Sequence, residues 1–561
     1  MTDAPDRGYV VSDYLLDRLA ELGVDRIFGV PGDFTLGFLD HVEDHERIEW
    51  IGTANELGAG YAADGYARLR GLGVVCTTFG VGELSAINAV AGAYAEHVPL
   101  LSLVGSPSEL VQRAGRATHH SLGDGDFGHT LRMSTEVTVA QAMLTAENAR
   151  AEIDRVLAEI VRTGQPGYLS LPTNVGETPA SPPAQSLVIA PSVSDPVALQ
   201  AFTVAAETLL RGAARPVVLA DILVNRCHAE DALHRLLAEA DLQFASMLWG
   251  RGVIDEAHPN YAGMYIGAAS EPEVRAVIED APRLITAGVY FTDLTSGFFS
   301  QHLDDAHRVD LLPHSAVVAG RSFAGVEMKD ALAILTDILR TDSPAALPTA
   351  TPLASPPVSP SAGPLSQDDT WRIVADFLGP GDLVFADQGT AFYGMGAHRL
   401  HHDVLFVGQP LWASIGYALP ALLGGALAAP ERRPVLLIGD GAAQLTIGEL
   451  GTIVRLGIPA IILVINNDGY TVERAIHGPG RQYNNIAAWH WQQLPRAFGA
   501  SKQSAFSVRV ETAQELAGAL RNADEHRDAL TFIEVVTDRL DVPPLLTALA
   551  AAAAAANAPK N

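Results

Sequence analysis

Along most of the chain, short apolar or β-branched runs alternate with longer stretches whose apolar residues recur at helical spacing. In the first third, VVCTTF (74–79) precedes a GVGE turn and the helix-like LSAINAVAGAYAE, and the apolar run LLSLVG (100–105) follows. Near the other end, PVLLIG (434–439) and AIILVIN (460–466) flank LTIGELGTIVRLG, which is again helix-like. Runs that are apolar throughout suit strands buried on both faces, and their alternation with helices predicts parallel sheets. Two Pro-, Ala- and Ser-rich stretches break this rhythm, ETPASPPAQSLVIAPSVSDP (177–196) and TDSPAALPTATPLASPPVSPSAGPLS (341–366). They read as linkers. The chain then divides into blocks near 1–180, 195–340 and 365–540, each predicted as α/β, with no residue-level repeat relating the first block to the third. The closing LLTALAAAAAAANAPKN is expected to begin as a helix and fray toward its end.

Apolar residues make up 48% of the 561 residues and charged residues 18%, so several domains with sizeable cores are expected. The formal net charge is −28, from 37 Lys and Arg against 65 Asp and Glu. That balance disfavours nucleic acid, which needs clustered cations. It also means that any bound phosphate must be neutralised locally, by a helix N-terminus or a metal ion. Cys76 and Cys227 are the only cysteines, too few for a disulfide framework or a cysteine zinc site. The amino-terminal MTDAPDRGYVVSDYLL lacks the apolar core of a signal peptide, and stretches such as YALPALLGGALAAP are too short to span a bilayer. A soluble cytoplasmic protein with no membrane or nucleic-acid partner is the expectation.

In parallel sheets, ligands bind where strands end and loops begin. The most specific stretch of this kind is GDGAAQLTIGELGTIVRLGIPAIILVINNDGYTVERAIHG (439–478). One strand is predicted to deliver Gly439-Asp440-Gly441 to a turn that opens a helix, and a second to deliver Asn466-Asn467-Asp468-Gly469. The 24 residues between them (442–465) suit one strand–helix–strand unit, which brings both turns to the same sheet edge. Asp440 and Asn467 offer hard oxygen ligands of the kind Mg²⁺ takes, and a backbone carbonyl could add a third. Gly441 allows close approach of a phosphate at the helix start.

Residues 117–129, ATHHSLGDGDFGH, offer two readings. Gly123, Gly125 and Gly128 match the dinucleotide fingerprint GxGxxG, which should end a strand and open a helix. Thr118–Ser121 does not look like a buried strand, and Asp124 and Asp126 would repel a pyrophosphate. The stretch is therefore expected to be a tight acidic turn, and an NAD-type oxidoreductase is disfavoured. His119 and His120 supply groups that titrate near neutrality.

The 439–478 stretch resembles the thiamine diphosphate motif, GDG followed some two dozen residues later by NN. That resemblance implies Mg²⁺ held by Asp440, Asn467 and the Gly469 carbonyl, with the metal anchoring the diphosphate. Glu56, at the start of the small-residue helix expected within IGTANELGAGYAADGYARLRG (51–71), matches the family glutamate that acts on the aminopyrimidine ring. FGVPGDF (28–34), THHSLGDGDF (118–127), ADQGT (386–390), QPLWASIGY (409–417) and NNDGYTVERAIHG (466–478) together resemble the 2-keto acid decarboxylases. The branch they suggest acts on indolepyruvate, phenylpyruvate and branched-chain keto acids and is related to pyruvate decarboxylase.

This resemblance covers about residues 9–550 and implies an α/β, three-domain thiamine diphosphate enzyme fold, each domain a mainly parallel sheet flanked by helices. The domains would be an N-terminal pyrimidine-binding domain (1–180), a central α/β domain (195–340), a Pro/Ala-rich linker (341–366), a diphosphate-binding domain (367–540) and a C-terminal helix with an Ala-rich tail (541–561). It implies non-oxidative conversion of a 2-keto acid to aldehyde and CO₂, with the cofactor ring taking up the electron pair that CO₂ leaves behind. Asp33, Glu56, His119, His120 and Glu473 would be catalytic. The cofactor would be touched by Glu56, Thr390, Ala413, Ile415, Asp440, Gly441, Ala442, Asn467, Gly469, Tyr470, Thr471 and Val472. Ile415 matches the wedge that bends thiamine, whereas Ala413 stands where the family commonly has Gly.

The substrate pocket would be lined by Leu294, Gln388, Phe392, Val472, Ile476 and Leu549, an apolar set suited to branched-chain and aromatic 2-keto acids. Leu223 stands where substrate-activated yeast-type enzymes carry a cysteine, so no cysteine-mediated activation is expected from the displaced Cys227. A homodimer or homotetramer with active sites at the subunit interface is implied. The alternatives are a thiamine-dependent carboligase such as acetohydroxyacid synthase, a flavin-linked oxidase, pyruvate decarboxylase proper, and a non-catalytic scaffold on the same fold. His119-His120 argues against the first two.

Overall fold

The strands β1 (Arg26–Gly29), β2 (Glu49–Gly52), β3 (Gly73–Thr78), β4 (Leu100–Ser106), β5 (Ala140–Met143) and β6 (Gly167–Pro172) form one parallel sheet in the order β2-β1-β3-β4-β6-β5. β3, β4 and β6 are buried along their whole length, which is why their sequences run apolar rather than alternating. The computed structural model that shows this describes residues 8–340 and 363–556. Most of the second linker and the last five residues of the tail therefore lie outside the described residues.

A second sheet holds β7 (Val217–Ala220), β8 (Phe244–Met247), β9 (Tyr261–Tyr265), β10 (Leu284–Ala287), β11 (Arg308–Leu312), β12 (Ser315–Val318) and β13 (Arg321–Ala324) in the order β13-β12-β11-β10-β7-β8-β9. Its β11–β12–β13 end is antiparallel. β12 and β13 are joined by Ala319 and Gly320 at φ 48° and 76°, the paired left-handed conformation that lets a two-residue turn close a hairpin.

The third sheet comprises β14 (Asp382–Ala386), β15 (Leu405–Val407), β16 (Arg433–Gly439), β17 (Ile461–Asn466), β18 (Ala505–Val510) and β19 (Leu530–Val536). Its order, β15-β14-β16-β17-β19-β18, is that of the first sheet strand for strand, and it too is wholly parallel. A repeat invisible in the residues is thus present in the topology.

The first and third sheets meet through two helices rich in small residues, Glu56–Arg70 and Ala418–Ala428. Asn55 caps the first by accepting from Gly58 N at 2.7 Å, and Gly71 ends it at φ 88°. A β-carbon on Gly65 would lie 2.1 Å from the Ala421 carbonyl oxygen, and one on Gly424 would lie 1.8 Å from that of Ala62. The two backbones touch, and a side chain at either glycine would force the sheets apart.

One expectation needs correction. The helix after β16 begins at Asp440 itself, without an intervening turn, and what reads as one helix is two, Asp440–Thr446 and Glu449–Arg455. The break falls at Gly448, a poor helix former packed on Ala54, and Glu449 turns to accept from Ala54 N at 3.0 Å. Among the described residues no helix is long and apolar enough to cross a membrane.

Candidate active site

At the ends of β16 and β17, Asp440 and Asn467 are 1% and 4% exposed. Asp440 bridges the two turns, its Oδ1 accepting from Gly441 N at 2.7 Å and its Oδ2 from Gly469 N at 3.0 Å. Burial pushes its carboxyl up to about 6. Gly469 sits at φ 119°, where a β-carbon would lie 2.2 Å from Asn484 O, so only glycine fits.

The Asn467 carboxamide is hydrogen-bonded in one orientation and unsatisfied in the other. With its NH₂ inward it donates to Gly469 O at 2.8 Å and to Asp440 Oδ1 at 3.2 Å. With its oxygen inward, three acceptors converge at those same separations, which only a cation can stabilise. An octahedral ion with bonds of about 2.0–2.1 Å places neighbouring ligands about 2.9 Å apart. The donor set therefore fits a small, hard divalent ion.

These groups line a cavity of about 210 Å³ together with Leu294, Gln388, Thr390, Ala413, Ile415, Gly441, Ala442, Tyr470, Thr471, Val472 and Glu473. Gly439 of the GDG motif lines it as well, as do Gly389 and Tyr393, which the sequence alone did not single out. Phe392 and Leu549 lie instead in the apolar core at 1% and 2% exposure, while Ile476 is 54% exposed, and none of the three lines the cavity. Phe392 stacks on Phe406, and a β-carbon on Gly408 would meet its ring at 2.2 Å.

The loop carrying Ala413 and Ile415 is clamped from both sides. Asp387, 1% exposed, accepts from Gly416 N at 3.0 Å and Ala418 N at 2.8 Å, and burial pushes its carboxyl up to about 7. From the first sheet's side, Glu96 accepts from Leu411 N at 3.0 Å and Tyr61 donates to Ser414 Oγ at 2.6 Å. Ala413 is held at φ 54°, a left-handed conformation that favours glycine, which accounts for the glycine expected there.

Arg474 is a further residue that sequence reasoning missed. Buried at 3% exposure, it donates to Asp468 O at 2.7 Å, Asn484 O at 3.1 Å and Asn485 Oδ1 at 3.0 Å, tying down the loop that presents Asn467 and Gly469. A lone arginine next to Glu473 gave no signal of this.

Glu56, Asp33, His119 and His120 do not line this cavity. Glu56 is half-buried at its helix start, and a β-carbon on Gly82 would lie 3.4 Å from its Oε1. Asp33, in the turn after β1, meets His119 Nε2 at 2.8 Å and lies 4.0 Å from His120 Nε2. Phe34 stacks on the His119 ring at 5.0 Å between centroids. His120 takes φ 67°, and its carbonyl presses on Gly80, where a β-carbon would lie 1.9 Å away. The acidic turn beside them is self-contained: Asp124 pairs with His129 at 2.8 Å and Asp126 with Arg132 at 2.6 Å. Leu223 is buried, and burial pushes the Cys227 thiol up to about 12, leaving it a weak nucleophile.

Three family descriptions of thiamine pyrophosphate enzymes match successive parts of the chain. The N-terminal TPP binding domain matches residues 10–126, the central domain residues 204–331 and the C-terminal TPP binding domain residues 391–535. The class is therefore that of the thiamine pyrophosphate (diphosphate) enzymes. A solved structure from Mycobacterium smegmatis, described as a thiamin diphosphate-dependent enzyme, shares the fold at a TM-score of 0.76 and 20% identity, over 95% of this chain and 100% of that one. The alpha-keto-acid decarboxylase of Mycolicibacterium paratuberculosis is 53% identical over 554 residues, 98% of each chain. That of Mycobacterium tuberculosis is 54% identical over 544 residues, 96% of each. Within its class, the chain belongs to the alpha-keto-acid decarboxylase family.

Proposed function

We propose that the protein decarboxylates 2-keto acids non-oxidatively to aldehydes, preferring those with branched-chain or aromatic side chains, with thiamine diphosphate held through Mg²⁺. The convergence of Asp440 Oδ1, the Asn467 carboxamide and Gly469 O carries the metal assignment. When bound, the cofactor supplies the electron sink that loss of CO₂ requires. Asp440 and Asn467 would hold the metal, N–H groups at the start of the helix Asp440–Thr446 would be available to the diphosphate, and Ile415 lines the same cavity.

The remaining groups move protons. Glu56 holds one at its carboxyl oxygen, and the hydrogen-bonded Asp33–His119 pair passes one between Oδ2 and Nε2 with His120 beside it. Glu473 lines the cavity itself. Because Glu56, Asp33 and the histidines lie outside that cavity, a second copy of the chain brings them to it, in a homodimer or a pair of such dimers. The apolar Trp412 and Leu445, 40% and 54% exposed in a single chain, are the kind of surface a second copy would cover.

The walls given by Leu294, Ile415 and Val472 support apolar substrate side chains. Comparing kcat/KM for pyruvate, 4-methyl-2-oxopentanoate, phenylpyruvate and indolepyruvate tests the preference. The three larger acids are expected to exceed pyruvate by at least about tenfold, in line with about 1–3 kcal/mol per methylene in a fitted apolar pocket. A pyruvate preference would return the assignment to pyruvate decarboxylase proper.

A further inference from the structure

We infer that Asp33, His119 and His120 form a second metal site, selective for Zn²⁺, and that zinc bound there switches the enzyme off. The inhibitory half rests on the proton-relay role proposed above; the binding half does not. One ligand atom from each residue lies within 4.8 Å of the others, and no ion is needed to bring them there. His119 Nε2 is already 2.8 Å from Asp33 Oδ2, and His120 Nε2 is 4.0 Å from Oδ1. Tetrahedral zinc, with bonds of about 2.0–2.1 Å, places its ligands about 3.3 Å apart. Side-chain adjustments of up to about 1.5 Å in these exposed groups would close the set.

The trio is preorganised by its backbone and its walls. His120 is held in the left-handed region against Gly80, and the His119 ring lies flat on Phe34. Both imidazoles aim Nε2 inward, the arrangement a metal requires. Asp124 and Asp126 do not compete as ligands, because each is committed to His129 or Arg132.

Ligand chemistry separates this site from the other one. Two imidazoles and a carboxylate suit zinc, whereas the all-oxygen set at Asp440, Asn467 and Gly469 suits Mg²⁺. Three protein ligands also leave a fourth position open. Zinc at the trio takes the nitrogen lone pairs and the carboxylate oxygen that would otherwise accept protons, so turnover stops while the cofactor stays bound.

Titration calorimetry of Zn²⁺ into holoenzyme containing thiamine diphosphate and millimolar Mg²⁺ is expected to show one tight site per chain. Co²⁺ in its place should give the visible bands of a four-coordinate ion. His120→Ala and Asp33→Asn should each weaken zinc binding at least tenfold without changing thiamine diphosphate affinity, and His129→Ala, outside the trio, should not weaken it. In the wild-type enzyme, decarboxylation should fall at the zinc concentration that fills the site, unrelieved by added Mg²⁺ and restored by a zinc-selective chelator. Absence of a stoichiometric site, or zinc binding that survives both substitutions, overturns the site. Inhibition that Mg²⁺ competes away places the zinc at Asp440 and also overturns it. Zinc bound at the trio with turnover unchanged overturns the switch, and with it the relay role.

Discussion

The unit β3–helix–β4 in the first sheet and the unit β16–helix–β17 in the third occupy equivalent places in one topology, yet each treats its acidic residue differently. After β3, Glu83 in the first turn of the helix Val81–Ala95 folds back to accept from Gly80 N at 2.7 Å and from Tyr168 Oη at 2.9 Å. That helix start is closed by its own chain. After β16, Asp440 instead bridges two turns and keeps an oxygen facing Asn467 and Gly469. The same supersecondary unit has become a structural cap in one place and a cradle in the other, and the position of a single carboxylate decides which.

A corresponding contrast holds in exposure. Asp440 and Asn467 are almost wholly buried, whereas the side chains of Asp33, His119 and His120 are 51%, 58% and 31% exposed. One chain thus encloses the Asp440–Asn467 end of the proposed site and leaves the Asp33–His119–His120 cluster open to solvent.

The sharpest break of this comparison is complementation between two inactive chains. Glu56→Gln and Asp440→Ala should each lower kcat by on the order of 10²-fold or more. If each site combines the first sheet of one chain with the third sheet of another, a mixed dimer of the two variants contains one wild-type site. Half the wild-type activity per dimer is then expected, measured on mixed dimers isolated with two different affinity tags. Activity no higher than that of the variants would place the whole site within one chain.

A smaller effect is expected at the cap. Glu83→Ala leaves Gly80 N and the Tyr168 hydroxyl without their partner in a buried site, a loss of about 2 kcal/mol in stability. Thiamine diphosphate half-saturation should be unchanged, because this carboxylate bonds Gly80 and Tyr168 and does not line the cavity. Urea unfolding monitored beside cofactor titration separates the two effects, and a weakened cofactor would show that the cap also shapes the site.

The smallest effect lies at Ala413. Glycine there removes the cost of a β-carbon at φ 54°, a gain of about 1 kcal/mol, partly offset by the greater freedom of glycine in the unfolded chain. Ala413→Gly should raise the melting temperature by a degree or two with kcat unchanged. A lower melting temperature would mean that the methyl packs more favourably than the strain costs.

Much of the site was legible because its chemistry is local. Asp440, Asn467 and Gly469 follow strand ends whose apolar runs are unmistakable, and the spacing between them needs only one strand–helix–strand unit. Thr390, Ala413, Ile415 and Val472 likewise came from short stretches, and the structure sets them around one cavity. Phe392, Ile476 and Leu549 came from the same kind of reasoning and do not line it. Whether a helical residue faces a cavity, a core or solvent depends on the element packed against it. Arg474, Asp387 and Glu96 escaped notice for the complementary reason: each holds a loop of the site largely through backbone groups, which leave no mark in a sequence.

The sequence by itself determined the buried strands, the division into three α/β blocks and the polar residues that stand at the ends of β16 and β17, all of which follow from periodicity and residue chemistry within a few dozen neighbours. Only the tertiary structure decided that the first and third sheets share one strand order and that their helices pack backbone to backbone at Gly65 and Gly424. It alone decided, too, that Asp33 and the two histidines gather at a distance from the metal cradle. Those outcomes depend on contacts between residues far apart in the chain, 86 positions for Asp33 and His119 and more for the two helices, where burial and close packing act on whole elements and no local pattern records the result.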